Sequence, residues 1–335
     1  MTRRYFALLA LLLCFPGMRS LAQEEAAPPP PSADSTITIR TSIVAITAIV
    51  HDKKGEHIRD LTKADFKVKE DGKPIDIRYF DKDSDLPLQI GLMIDTSWSQ
   101  KDFFEEQGRA STAFLTSMLT RPEDQAYVVR FDANVLLLQK MTPDVAKLKQ
   151  SFTLLGKYYP LAKGADYKKN TRLYDALCTT TINVANRERG RRAVIVMTDG
   201  EDNGSTSDLE GTIRQVQRAD TAVYTILYTK NVAQAKHDDE TPEQRLYRLT
   251  GHADHVSGRD AMEKISLASG GRLFIVDKDN PVEKIYKLIE LDMRQQYRIG
   301  YSPKPSPPGS YHTLEVKPVN SKYTVQARVG YYTPQ

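Results

Sequence analysis

Two hydrophobic patterns alternate along the chain. From 37 to 84 the apolar residues follow strand periodicity. "TSIVAITAIVHD" (41–52) is β-branched and apolar, and "DFKVKEDGKPIDIRYF" (65–80) is a pair of alternating strands about a turn near Asp71-Gly72. From 86 the pattern changes to strand alternating with helix. "LPLQIGLMID" (86–95) is a short, continuously apolar run, as a strand buried on both faces requires. Residues 102–119 have helical spacing, with Phe103, Phe104, Ala110, Phe114 and Leu115 apolar. "AYVVRF" and "VLLLQK" read as strands about a short "DAN" turn, and "TPDVAKLKQSFTLL" opens a helix with Thr, Pro and Asp. Helices at 172–186, 208–219, 259–269 and 281–296 alternate with the strands "RRAVIVMTD", "AVYTILY" and "RLFIV".

That alternation predicts an α/β fold, doubly wound and Rossmann-like, with a mainly parallel sheet. After 296 only strands return, in "QYRIGYS", "YHTLEVKPV" and "TVQARVGYY". Neither β-rich end has enough strands to bury a core alone. The expectation is therefore one β-sandwich-like domain built from 37–84 and 297–335, with an α/β domain at 85–296 inserted in it.

The first 22 residues stand apart. Arg3 and Arg4 precede the apolar run "YFALLALLLCF", too short to span a bilayer, and Ser20 and Ala22 occupy small-residue positions before a cut. Residues 1–22 are read as a secretory signal peptide cleaved after Ala22, the alternative being an uncleaved anchor. Cys14 follows Leu13 rather than a small residue, which argues against a lipoprotein anchor. Residues 23–36, with "EEAAPPPPSADS", are a Pro-rich spacer. Export to the periplasm or outside the cell follows, with no transmembrane span in the mature chain.

Cleavage removes Arg3, Arg4 and Arg19 and leaves 44 basic against 43 acidic residues, a net charge of +1. That balance excludes an electrostatic footprint for nucleic acid. Cys178 alone remains, so an internal disulfide is excluded too.

Candidate chemistry gathers where two apolar runs end in acids. Open α/β sheets bind ligands beyond the carboxyl ends of their strands, near the point where strand order reverses. Asp95 and Asp199 each close such a run, Ser97 and Ser99 follow Asp95, and Thr171 opens a helix after a long loop. Each has a purely structural alternative. Ser99, with Asp102 three residues on, is a good helix N-cap, as is Thr171, and Asp199-Gly200 is a turn signal. Together they form an oxygen-only set of three hydroxyls and two carboxylates, which suits Mg²⁺, or Mn²⁺ or Ca²⁺, before Zn²⁺.

"DTSWS" at 95–99 resembles the D-x-S-x-S signature of the von Willebrand factor A domain. Thr171 in "NTRLYDAL" and Asp199 in "VIVMTDGEDNGS" are similar to the second and third parts of its metal-ion-dependent adhesion site (MIDAS). The flanks "LTKADFKVKEDGKPIDIRYF" and "QYRIGYSP…RVGYYTP" resemble the β segments that bracket this domain in a bacterial family of secreted "VWFA-related" proteins. The resemblance implies that Ser97, Ser99 and Thr171 touch the metal while Asp95 and Asp199 hold it mostly through water. A cation so ligated stays under-neutralised and keeps a position for a carboxylate from a partner protein's Asp or Glu. It also implies a non-enzymatic binding module. Three departures stand out: Trp98 where Gly is common, Gln100 where Met is common, and "KKN" before Thr171 where a Gly-Gly pair is usual. None removes a ligand oxygen.

Around the site, Trp98, Glu201, Asp202, Tyr167, Lys168 and Lys169 are expected to contact the partner. For Trp98 the alternative is packing on Phe103 or Phe104. The polar stretch 236–260 carries His237, His252 and His255, whose spacing matches no zinc signature; it is read as a solvated loop. Two other functions remain in view. A hydrolase is one: "MIDTS" has the D-T-S of aspartic proteases, but those need two such loops in an all-β setting. A haloacid dehalogenase-type phosphatase would want a second Asp where Ser97 stands. A structural domain that binds metal but no ligand is the other.

Overall fold

The computed structural model describes residues 43–82, 86–155, 171–185, 190–229 and 257–334. The expected signal peptide and spacer, Tyr167, Lys168, Lys169 and the three histidines of 236–260 lie outside the described residues.

The N-terminal segment supplies β1 (Val44–His51), β2 (Phe66–Glu70), β3 (Lys73–Ile75) and β4 (Tyr79–Lys82). Asp71 and Gly72 join β2 to β3 with φ of 49° and 75°. Two successive left-handed residues match the twist of the flanking strands, so this two-residue hairpin suits an Asp-Gly pair.

The α/β block begins with β5 (Leu88–Asp95), a 3₁₀ segment (Trp98–Phe103) and α1 (Phe104–Met118). Next come β6 (Gln125–Phe131), β7 (Val135–Thr142), α2 (Val145–Phe152) and α3 (Leu173–Ala185). The second half is β8 (Arg191–Thr198), α4 (Leu209–Arg218), β9 (Ala222–Leu227), α5 (Gly258–Ser269), β10 (Leu273–Ile275) and α6 (Val282–Arg294). Their sheet has the order β10-β9-β8-β5-β6-β7. Every pairing is parallel except β6 with β7. All eight residues of β5 are buried. Ile90, Leu92 and Ile94 face a core shared with Phe114, Leu115, Ile285 and Ile289, and Met93 faces another with Leu173, Leu177, Val216 and Ile265. That double cover explains the unbroken apolar run. From β5 the chain winds outward to β6 and β7, then returns to β8 on the other side. The order therefore reverses beside the carboxyl end of β5, where Asp95 sits.

The last strands are β11 (Tyr297–Tyr301), β12 (Tyr311–Pro318), β13 (Thr324–Ala327) and β14 (Gly330–Tyr332). "TVQARVGYY" does not run as one strand; it breaks and sends its halves to different sheets. The two antiparallel sheets are β13-β1-β11-β4 and β14-β12-β2-β3, so each draws strands from both ends of the sequence. Ile46, Val50, Phe66, Val68, Ile299, Leu314 and Tyr331 share the core between them. Buried Glu70 on β2 accepts hydrogen bonds from Tyr301 (2.6 Å) and Tyr331 (2.7 Å), stitching the two layers together. The α/β fold is thus inserted in a β-sandwich-like unit made by its flanks. Among the described residues no helix is long and apolar enough to cross a membrane.

Candidate functional site

The strand ends bring four of the five candidate oxygen-bearing residues into one linked cluster. Asp95 is fully buried at the tip of β5. Its Oδ1 accepts the Ser97 N–H at 2.9 Å and its Oδ2 accepts the Thr198 hydroxyl at 2.7 Å. Both donors are neutral, so the carboxylate charge is oriented but not cancelled. Ser99 Oγ lies 3.1 Å from Ser97 Oγ and donates to Asp199 Oδ2 at 2.5 Å, joining the loop after β5 to the loop after β8. Gln100 Nε2 donates to the same Asp199 oxygen at 3.2 Å.

Ser99 is not a helix N-cap. It sits inside the 3₁₀ segment, whose N-cap is Ser97, and its hydroxyl is spent on Asp199. Nor does Thr171 cap α3. The N-terminal amides of that helix, Tyr174 and Asp175, donate to Asp202 Oδ1 (3.1 Å) and Ser205 Oγ (3.0 Å) from the loop after β8. Thr171 is held through its backbone instead. Its N–H donates to Asn203 Oδ1 at 2.8 Å, and its carbonyl accepts the Asn203 N–H at 3.1 Å. The neighbouring Arg172 N–H donates to the Asp132 carbonyl at 2.9 Å. Asp132 is fixed in turn by a buried ion pair with Arg130 (2.6 Å), which Thr96 joins through its hydroxyl. The loops after β5, β6 and β8 and the start of α3 are thereby bound into one frame.

Two glycines set the loop after β8. Gly200 has φ of +88°, and a Cβ on Gly258 would stand 2.4 Å from the Gly200 carbonyl oxygen. The start of α5 and the Asp199–Glu201 loop therefore pack backbone on backbone, which neither residue permits with a side chain.

Burial, and next the charge of Asp199, push the Asp95 carboxyl up to about 7, against the hydrogen bonds that favour ionisation. Burial and Asp199 push Glu201 up as well. A buried Asp95 strained this way, linked through Ser97 and Ser99 to a second acid, Asp199, with oxygen as the ligand atom throughout, fits a hard divalent cation. Of the expected partner contacts, Trp98 is 45% exposed, with Lys101 Nζ 4.3 Å above its ring, and Glu201 is exposed. Asp202 is half-buried and bound to α3 and to Ser205 (2.6 Å). Sequence reasoning missed Thr198 and Asn203, the anchors of Asp95 and Thr171. The position of Thr198 immediately before the strand-end acid was the available signal.

The sequence profile of the von Willebrand factor type A domain matches residues 89–285. Comparison with curated proteins gives no match. Several solved structures are similar at low identity. An aerotolerance-related membrane protein from Bacteroides fragilis is 16% identical, with a TM-score of 0.42 over 62% of this chain and 98% of its own. The vWF domain of the type V pili tip protein Mfa5 from Porphyromonas gingivalis is 12% identical, with a TM-score of 0.44 over 62% and 96%. A von Willebrand factor type A protein from Catenulispora acidiphila is 10% identical, with a TM-score of 0.43 over 86% and 73%. With more than half of its length matched by the profile, the chain belongs to the von Willebrand factor type A domain family.

Proposed function

We propose that this protein is an exported, non-enzymatic binding module of the secreted "VWFA-related" type, which captures a carboxylate of a partner protein at a Mg²⁺-dependent adhesion site. The observation that carries the reading is the release of Ser99 and Thr171 from helix capping. Ser99 turns its hydroxyl to Asp199 within the cluster, and Asp202 and Ser205 meet the α3 amides that a capping Thr171 would otherwise serve. Ser97, Ser99 and Thr171 would hold the metal directly, with Asp95 and Asp199 behind them. Mg²⁺, or Mn²⁺ or Ca²⁺ in its place, would supply an electrophilic position for an Asp or Glu side chain. Trp98 and Glu201 would contact the partner beside that position, as would Tyr167, Lys168 and Lys169, which precede Thr171 in the sequence. Thr198 and Gln100 orient the two acids.

The test is a capture experiment from an envelope extract in Mg²⁺, in EDTA, and with Thr171→Ala. A partner retained only in Mg²⁺, lost with Thr171→Ala, and dependent on one acidic residue of its own supports the reading. A partner that binds equally well in EDTA refutes it and leaves a structural domain.

A further inference from the structure

A second cluster of metal-ligating side chains lies away from the strand-end site. β1 ends at His51, and the chain turns through 52–56 to bring His57 back beside it as an isolated antiparallel bridge. The turn is firmly built. Asp52 N–H donates to the Glu56 carbonyl at 2.9 Å, Asp52 Oδ1 accepts from Lys54 and Glu56, and Ile58 N–H donates to the Val50 carbonyl at 2.8 Å. The two imidazoles meet edge to face, with centroids 4.4 Å apart. Both present Nε2 to one oxygen of Asp292 on α6, at 3.3 Å from His51 and 2.8 Å from His57.

Asp292 is fully buried, and its other oxygen, Oδ2, has no hydrogen-bond partner among the described residues. The Tyr224 hydroxyl is also buried without one. A carboxylate with two donors crowded on one oxygen and none on the other is a costly arrangement if hydrogen bonding is its whole purpose. Burial pushes the Asp292 carboxyl up, but hydrogen bonds from His51 and His57, together with the charge of Arg272, outweigh it and lower it below the ordinary carboxylate value. An anionic oxygen and two imidazole nitrogens are thus already converged.

The three ligand atoms lie within 4.8 Å of one another. Tetrahedral zinc with bonds of about 2.0–2.1 Å needs ligand atoms roughly 3.3 Å apart. The two nitrogen–oxygen separations, 3.3 and 2.8 Å, lie at and somewhat below that value, so side-chain rotation brings three of the four tetrahedral positions within reach. Imidazole donors select Zn²⁺ over Mg²⁺, the reverse of the oxygen-only set at the strand ends.

We infer that His51, His57 and Asp292 form a Zn²⁺ site that clasps the first sandwich strand to the last helix of the inserted α/β fold. The ligands are 241 and 235 residues apart in sequence. α6 leads almost directly into β11, which pairs with β1. A metal here therefore fixes the junction through which the inserted fold is joined to its flanks, independently of any partner at the strand-end site.

The experiment uses the whole chain, without a polyhistidine tag and stripped of metal, in a large excess of Mg²⁺ to occupy oxygen-donor sites. Co²⁺ is titrated as a coloured stand-in, followed by competition with Zn²⁺. One equivalent of Co²⁺ with visible ligand-field absorption, displaced by Zn²⁺, is expected. His57→Ala and Asp292→Asn should each weaken Zn²⁺ binding at least about tenfold. Should either variant fail to fold, nitrogen NMR of the wild-type histidines under Zn²⁺ titration gives the answer: Nε2 of both His51 and His57 should shift together at one equivalent. Absence of a visible Co²⁺ band, unchanged Zn²⁺ affinity in folded variants, or histidine Nε2 signals that ignore Zn²⁺ would overturn the inference.

Discussion

Asp95→Asn should make the metal-free protein more stable at alkaline pH and less stable in acid. The folded protein holds the Asp95 carboxyl at about 7, against 3.8 when exposed, because it is buried and faces Asp199. A carboxyl whose folded value is raised ionises first in the unfolded chain. Below about pH 4 it is neutral in both states and costs nothing. Between there and pH 7 stability falls by about 1.4 kcal/mol per pH unit, and the loss levels off at about 4 kcal/mol. Asparagine is neutral throughout and removes that loss. It can still accept from the Ser97 N–H, but its amide cannot accept the Thr198 hydroxyl that now bonds Oδ2. One hydrogen bond is worth about 1 kcal/mol. The variant should therefore gain about 3 kcal/mol at pH 8 and lose about 1 kcal/mol at pH 4. Urea unfolding in EDTA across this range, wild type against variant, measures the difference directly. Adding Mg²⁺ at pH 8 should rescue the wild type and leave the variant unmoved. A pH-independent difference, or a variant weaker at pH 8, would refute the account of Asp95 as an acid strained for a cation.

Saturating Mg²⁺, at about 100 times its Kd, should stabilise the wild type by roughly 2.7 kcal/mol, and Ser99→Ala should abolish the gain; calorimetric melting in Mg²⁺ and EDTA reports both. Trp98→Ala should cost under about 1 kcal/mol of stability, since the ring is half exposed, yet at least about 2 kcal/mol of partner affinity, read by titration calorimetry. Gly258→Ala forces a Cβ onto the Gly200 carbonyl, so it should destabilise by about 1–3 kcal/mol and loosen Mg²⁺ binding by displacing Asp199; equal Mg²⁺ affinity in the folded variant would contradict this. Deleting 297–335 takes away strands that pair with β1 and β2, so limited proteolysis should find 43–82 degraded and the α/β block intact if the proposed boundaries at 85 and 296 delimit an independent domain.

Much of this architecture was legible because its signals are local. β5 and β8 read as buried strands because sheet cover on both faces leaves no room for a polar position, and the acids that end them mark the carboxyl edge. The sandwich followed from a deficit, too few strands at each end to bury a core. The edge strand β7 kept an apolar sequence although Leu136 and Leu137 are exposed, so its pattern did not disclose its place in the sheet. Capping at Ser99 and Thr171 was undecidable from sequence for a physical reason. An N-cap is recognised within four residues, whereas the groups that displace it lie elsewhere: Asp199 is 100 residues from Ser99, and Asp202 is 28 from Tyr174. The histidine cluster was hidden by the same distance. Histidines in the 236–260 stretch drew the comparison with zinc signatures, while His51 and His57 carry no local signal, their partner Asp292 lying 241 and 235 residues away.

Sheets that draw strands from both ends of the sequence impose an order on biosynthesis. Glu70 leaves the ribosome 261 residues before the Tyr331 that completes its hydrogen bonding. At about 5–20 residues per second, that gap lasts roughly 13–52 s. For most of it, until residue 297 is made, the apolar strand "VAITAIVH" has neither of its neighbours, β11 nor β13, and presents two open edges. The α/β block between them is made of nearer contacts and can fold first, drawing residues 86 and 294 into place and shortening the loop that the sandwich must close. Emergence of the C-terminal strands, rather than of the N-terminal ones, is then the event that lets the flanks condense, and a nascent chain stalled before residue 297 should be a client for holding chaperones.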